Sequence, residues 1–281
     1  MKHLIASAAA AACVLILSGL AQAGGPTPGI AQNGAGITVA GGARLLARPA
    51  AGTTVVRLVR DGTTITQRSL AGTLGIPLVT FGGLADGTWQ GGRRALLATS
   101  PYDDQTRTTF VVLDTRTLEP LRTIRLRGMF AYDAVSSDGR RLFVLHFPKG
   151  VDGGIHYLVR SVDLDTGRLE PGAIVDKSEP GERMAGIPLA RATSADRGWV
   201  YTLYNGGASD AFVHALDTKH RTARCIDLPW HGKDQNGLEL ARMALQGGTL
   251  VLSQPRIGVL ATVDLRSFAV DVTRAPVGSR S

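Results

Sequence analysis

Short apolar stretches, each closed by glycine or aspartate turns, recur along the chain after the first two dozen residues. Three of them are FVVL at 110–113, LFVL at 142–145 and TLVL at 249–252. Runs of this length that are apolar on both sides are typical of strands buried on both faces. Helical spacing occurs at 238–245, where the repeat described below predicts a strand instead. The pattern therefore predicts an all-β fold.

A glycine turn that leads into an apolar run appears five times. The segments read GGARLLA, GGRRALLA, DGRRLFVLHF, DRGWVYTLYN and QGGTLVLSQ. Their last glycines before the run are Gly42, Gly92, Gly139, Gly198 and Gly248, at spacings of 50, 47, 59 and 50 residues.

A second landmark, an apolar run that ends in aspartate and a turn, also appears five times. Its aspartates are Asp61, Asp114, Asp165, Asp217 and Asp264, at spacings of 53, 51, 52 and 47 residues. Two landmarks with nearly the same period indicate five copies of one unit, and such periods are typical of propellers and solenoids.

Each unit reads as four strands, most clearly in the third copy with AYDAVSS, RLFVLHF, YLVRSVDL and GAIVD. The Ser-Asp-Gly and Asp-Thr-Gly sequences between these strands favour hairpin turns. We therefore predict one β-propeller domain over 24–281, closed from five four-stranded blades. The repeats cover about 37–79, 80–127, 128–180, 187–230 and 239–274.

The repeat resembles that of the YVTN-type (YncE-like) β-propeller proteins. VYTLYN at 200–205 and LFVLHF at 142–147 stand where those repeats carry their tyrosine-valine-threonine-asparagine strand, and LDT at 113, 164 and 216 matches their Asp-Thr turn. The resemblance covers most of the chain and implies a propeller. It implies no single function, because the superfamily includes binding scaffolds and lactonase-like members. The repeat is longer than usual in that family, five units are fewer than its common seven, and the YVTN string is never intact.

The N-terminus has the pattern of a secretory signal peptide. Lys2 and His3 precede an apolar run over 4–20, and Ala21-Gln22-Ala23 is a small-x-small cleavage site. We predict a signal peptide over 1–23 and a secreted or extracytoplasmic protein of the cell envelope. The alternative is an uncleaved membrane anchor, since the run is nearly long enough to span a bilayer.

The charge pattern limits the kinds of partner we expect, and the cysteine count limits disulfide formation. The formal net charge of +8 comes from arginines scattered among acids, without a basic stripe interleaved with aromatics, so we expect no nucleic acid partner and leave open an anionic one. The cleaved chain would keep one cysteine, Cys225, which excludes an internal disulfide. We interpret Cys225 as a small buried strand residue, since nothing near it in the sequence resembles a Cys-His nucleophilic pair.

The mouth of a propeller channel is its natural binding site, because the innermost strands and the loops before them converge there. Counting six residues back from the turn glycines gives Gly36, Asp86, Asp133, Ala192 and Arg242, with Arg191 adjacent. These charges can line a wet pore or form an ion pair between blades. Alternatively, Arg242 binds an anionic group while the two aspartates accept hydrogen bonds from hydroxyls or hold a cation such as Ca²⁺.

Three long loops, at 147–157, 177–191 and 231–242, are further candidates for binding, because loops on a rigid scaffold often carry function. Trp230 is placed to reach the mouth, although tryptophan packing between blades is the simpler interpretation. Glu182 and Glu239 lie in or near these loops without a marked catalytic pattern, and His146 and His156 lack a third metal ligand at a useful spacing. The motifs of metalloproteases, nucleotide-binding loops and serine hydrolases are absent from the sequence.

The sequence thus predicts a non-catalytic binding or scaffolding propeller that recognises a protein, polymer or small ligand at its mouth, without cofactor or metal. The candidate binding residues are Asp86, Asp133, Arg191, Arg242 and Trp230. A secreted hydrolase, glycosidase-like or lactonase-like, that uses Asp86 and Asp133 is the alternative. A purely structural envelope protein is the third.

Overall fold

The computed structural model describes residues 29–104, 106–148, 156–178, 184–206 and 209–277. The predicted signal peptide lies outside these residues. The described chain is mainly β-structure, with short 3-10 helices at Ala40–Gly42, Gly232–Gln235 and Leu238–Leu240. No helix within these ranges has the length and apolar character needed to cross a bilayer.

The strands form five antiparallel blades in which consecutive strands pair, together with one small two-stranded sheet. β1 (Ile30–Ala31) precedes blade 1, which consists of β2 (Ile37–Thr38), β3 (Arg44–Ala50), β4 (Thr53–Arg60) and β5 (Thr63–Ala71). β6 (Ile76–Pro77) pairs with β1, and blade 2 follows with β7 (Thr88–Trp89), β8 (Arg94–Ala98), β9 (Arg107–Asp114) and β10 (Pro120–Arg127). Blade 3 has β11 (Met129–Val135), β12 (Arg141–Phe147) and β13 (Leu158–Asp163). Blade 4 has β14 (Ile187–Thr193), β15 (Trp199–Asn205), β16 (Phe212–Asp217) and β17 (Thr222–Asp227). Blade 5 has β18 (Arg242–Gln246), β19 (Thr249–Gln254), β20 (Gly258–Asp264) and β21 (Val270–Val272). The predicted all-β propeller fold is confirmed.

The aspartate landmark marks the turn after the third strand of a blade. Asp114, Asp217 and Asp264 each accept, through Oδ1, hydrogen bonds from the backbone amides two and three residues further along. This is the side-chain turn that aspartate favours. In blade 3 the residue in this role is Asp163, which accepts from the amide of Thr166 at 2.6 Å, and the choice of Asp165 was wrong.

The fourth strand predicted for blade 3 forms only in part. Its segment makes isolated bridges from Leu169 to Val162 and from Ile174 to Val159. Between them, Pro171 has no amide hydrogen and Gly172 has a φ of 78°, so a continuous ladder cannot form.

The hydrophobic core lies between the blades. Four clusters of buried apolar side chains join blade 1 to blade 2, blade 2 to blade 3, blade 3 to blade 4, and blade 4 to blade 5. In β12 the neighbours Phe143 and Val144 point to opposite faces and are both fully buried, each in a different cluster. A strand that is apolar on both sides is therefore covered by a blade on each side, as predicted for the middle of the chain.

The first and last blades differ, because each buries one face and leaves the other partly exposed. In β19, Leu252 is fully buried whereas Val251 is partly exposed, and the paired residue Ala244 is exposed. β4 of blade 1 alternates in the same way. We call the partly exposed side of blade 5, with Ala244, Val251, Ser253 and Thr262, its end face. Over the ranges described, no cluster of buried apolar side chains joins blade 5 to blade 1, so the TLVL strand is not buried on both sides as the sequence predicted.

Candidate channel-mouth binding site

Strand register places three charged residues at equivalent positions of neighbouring blades. The second residue of the second strand is paired with Thr88 in blade 2, Val135 in blade 3 and Thr193 in blade 4. Two positions before these partners lie Asp86, Asp133 and Arg191, respectively. The glycine count had given Ala192 for blade 4. It fails there because Gly198 lies one position later in its turn than Gly139 does in blade 3. By the same register, the equivalent residues of blades 1 and 5 are Ala35 and Met243.

Asp133 and Arg191 form a buried ion pair between blades 3 and 4. Nη2 of Arg191 donates to Oδ1 of Asp133, and Nη1 donates to the backbone carbonyl oxygen of Asp133. This carbonyl is available because a bulge at Tyr132 and Ala134 interrupts the pairing of β11. The Arg191 side chain is 4% exposed and the Asp133 side chain is 3% exposed. Burial lowers the pKa of Arg191, and the nearby Asp133 carboxylate more than offsets this, so the net shift is upward.

Asp86 belongs to a second pair close to the first. Its Oδ1 accepts from the amide of Gly87 at 2.6 Å and lies 3.5 Å from Nη2 of Arg197, which is in the first turn of blade 4. The Tyr132 hydroxyl is buried and has no hydrogen-bond partner within the described part of the chain. Burial, then the negative charge of Asp86, raises the pKa of Tyr132. Each of the two predicted carboxylates, Asp86 and Asp133, thus lies beside an arginine side chain.

A pocket of about 550 Å³ lies where the first strands of blades 4 and 5 run side by side. Leu189 to Arg191 and Ala241 to Met243 form one wall, and the loop over 80–84 forms the other. This loop reaches blade 4 through a hydrogen bond from the Phe81 amide to the Pro188 carbonyl, at 2.7 Å. Two predicted site residues, Arg191 and Arg242, therefore line one pocket.

The rim of this pocket combines a free-standing cation with exposed apolar side chains. Arg242 is exposed, and none of its side-chain contacts is an ion pair within the part of the chain described. Leu84, which lines the pocket, is 47% exposed, and its loop neighbour Phe81 is 52% exposed. Apolar side chains around a charged group are typical of ligand pockets, where the polar group orients the ligand.

The remaining predicted residues lie elsewhere. Trp230 is 2% exposed and packs in the core between blades 4 and 5. Glu239 accepts a hydrogen bond from the amide of Gly237 in the loop before blade 5. Glu182 lies outside the described residues, as do parts of the loops at 147–157 and 177–191. His146 stacks on Phe130 at 4.4 Å between ring centroids, in blade 3.

One group of side chains was missed by the sequence analysis. His214 in β16 is directly opposite Cys225 in β17, and both line a small cavity together with Met184 and Tyr157. His214 and Cys225 are equally far along the chain from the middle of their hairpin turn. Their pairing could therefore have been predicted from the sequence. Among the described residues, no three of histidine, cysteine, aspartate and glutamate are close enough together to hold a metal ion.

No protein-family model matches the chain, and no curated protein matches it either. The chain is similar in structure to hydrazine synthase of Kuenenia stuttgartiensis, with a TM-score of 0.43 and 14% identity over 82% of this chain and 76% of that one. It is similar to BamB of Moraxella catarrhalis, with a TM-score of 0.45 and 13% identity over 87% and 65%. It is also similar to TolB of Acinetobacter baumannii, with a TM-score of 0.39 and 15% identity over 82% and 56%. The chain is a β-propeller repeat protein, and its assignment to the YVTN type stays a prediction.

Proposed function

We propose that the chain is an extracytoplasmic, non-catalytic binding propeller whose channel-mouth pocket recognises a segment of a protein or polymer that carries a carboxylate. The observation that carries the proposal is that exposed Arg242 and exposed Leu84 line the same pocket. A planar guanidinium can bind a carboxylate through two parallel hydrogen bonds, and the apolar rim would cover the flanking part of the segment.

The state of the two aspartates favours binding over hydrolysis. Asp133 is 3% exposed and bound by Arg191, and Asp86 faces Arg197. A carboxylate that acts as an acid, base or nucleophile must reach the substrate within hydrogen-bond distance. Asp133 is enclosed by its ion pair and would first have to leave Arg191. The extracytoplasmic location is supported by the signal-peptide pattern of residues 1–23.

A displayed random-peptide library, panned on the purified protein, tests the proposal. We expect enriched peptides to contain aspartate, glutamate or a free C-terminal carboxylate next to apolar residues. Because the contact is charge-assisted, Arg242→Glu should weaken binding of a synthetic copy of such a peptide by about 10-fold or more. Arg266→Glu is the matched control, since Arg266 is an exposed arginine of the same blade in the β20–β21 turn.

Three results would overturn the proposal. They are the absence of any enriched peptide, equal weakening by the two arginine variants, and turnover of a glycoside or lactone panel that is lost in Asp86→Asn. The last result would identify the hydrolase alternative.

A further inference from the structure

A small cavity lies between blades 3 and 4, separate from the channel-mouth pocket. Met184, His214 and Cys225 line it, together with Tyr157 and Asp176. Its volume of about 10 Å³ is close to the minimum that holds one water-sized atom. A ligand of several atoms is therefore too large, but a bare ion fits.

His214 presents an unsatisfied nitrogen in this region. The residue is 2% exposed, and its Nε2 is buried without a hydrogen-bond partner among the described residues. Buried polar atoms without partners are rare in folded proteins, and a neutral imidazole is a common metal ligand.

Two sulfur atoms complete the group. Cys225 is half-buried and directly opposite His214, a position at which side chains of neighbouring strands interact. Met184 is 8% exposed, and its carbonyl oxygen accepts a hydrogen bond from the amide of Tyr157 at 3.0 Å. The set is one imidazole, one thiol and one thioether.

The charged groups around the cavity are already engaged. Asp176 accepts hydrogen bonds from Ser178 and from the amide of Cys225 at 3.0 Å, and it lies 3.6 Å from Arg224. Asp133 and Arg191 neutralise each other. Among the described residues that line the cavity, the one carboxylate is therefore Asp176, which these contacts already hold.

We propose that this cavity binds one Cu(I) ion through Sγ of Cys225, Nε2 of His214 and Sδ of Met184. Thiolate and thioether ligands select Cu(I), and Cu(I) needs no carboxylate. On binding, the Cys225 thiol releases its proton to solvent and the thiolate bonds to the ion, so one positive charge replaces another and the site stays neutral. Zn²⁺ at these three ligands would leave an extra positive charge, and it usually takes four ligands. This inference does not depend on the proposed function at the mouth.

Anaerobic titration of the purified protein with Cu(I), against bicinchoninate as competitor, tests the site. We expect one equivalent to bind with release of one proton, and X-ray absorption to show two sulfur neighbours and one nitrogen neighbour of copper. Loss of an outer-shell partner already weakens metal sites by about 10-fold to 100-fold, so loss of the thiolate in Cys225→Ser should weaken binding by about 100-fold or more. Met184→Leu should weaken binding by about 10-fold and remove one sulfur neighbour.

Met129→Leu is the matched control, because Met129 packs against the same core cluster without lining the cavity. It should bind Cu(I) as the unaltered protein does. Without metal, each variant is first shown to have the circular dichroism spectrum and the unfolding midpoint of the unaltered protein. If Cys225→Ser does not fold, the Cu(I) affinities of Cys225→Ala and Met184→Leu test the site instead. The proposal is overturned if no tight equivalent binds, if Cys225→Ser binds as tightly as the unaltered protein, or if copper has no sulfur neighbour.

Discussion

Replacing Asp133 with alanine would leave the guanidinium of Arg191 buried between blades 3 and 4 without its carboxylate partner. Both side chains are at most 4% exposed, so water cannot substitute for the lost group. The backbone carbonyl of Asp133 would still accept one hydrogen bond. Loss of the charged bond alone costs about 1.5–3 kcal/mol, and breaking a buried pair on one side costs about 3–5 kcal/mol in total. This is a large part of the roughly 5–15 kcal/mol by which folded proteins are stable.

Urea unfolding followed by tryptophan fluorescence measures this loss, with Arg68→Ala as the control. Arg68 and Glu119 form an exposed pair, 39% and 62% exposed, whose removal should cost less than about 1 kcal/mol. The double variant Asp133→Ala with Arg191→Leu removes both charges and should recover much of the stability. Similar losses in Asp133→Ala and Arg68→Ala would refute the reasoning, because they would mean that the Asp133–Arg191 pair is solvated.

Two further predictions concern the buried histidine and the end face of blade 5. Burial lowers the pKa of His214 to about 4. Between pH 4 and about 6.5 the unfolded chain therefore binds a proton that the folded protein does not. The free energy of unfolding is thus highest above pH 6.5 and falls by about 3 kcal/mol as the pH approaches 4. Urea unfolding at pH 7 and 4.5 should show a smaller fall in His214→Gln, and an identical fall would contradict the assignment. Leu252→Ala should cost about 2–5 kcal/mol, because Leu252 is fully buried, whereas Val251→Ala should cost less than about 1 kcal/mol. Equal costs in urea unfolding would mean that the end face is covered.

The blades were predictable from the sequence because glycine and aspartate turns follow from local backbone chemistry. One detail was not fixed by that chemistry. Asp163 and Asp165 both fit the spacing of the aspartate turns, and only the pairing of Asp163 with Arg141 separates them. The interruption at Pro171 in blade 3 was readable, since proline lacks the amide that a ladder requires.

The candidate site was predictable in part. Asp133 and Arg191 were expected near the channel, but their direct contact depends on a bulge in β11 that leaves a carbonyl outside the ladder. Such a bulge has no sequence signature here. Arg242 was expected at the mouth, and the loop that forms the opposite wall was not, because the partner of Phe81 is on blade 4, far along the chain. Patterns of turn residues do not predict contacts between segments that are distant in the sequence.

The partly exposed end faces give this molecule the energetics of a linear repeat array. The clusters of buried apolar side chains join each blade to its neighbours in sequence, so the apolar part of the free energy is approximately a sum over four junctions. Blades 1 and 5 end this series of junctions, each with one partly exposed side. Fraying can therefore start at either terminus and stop at the next junction, which leaves blade 3 as the best-protected part of the chain.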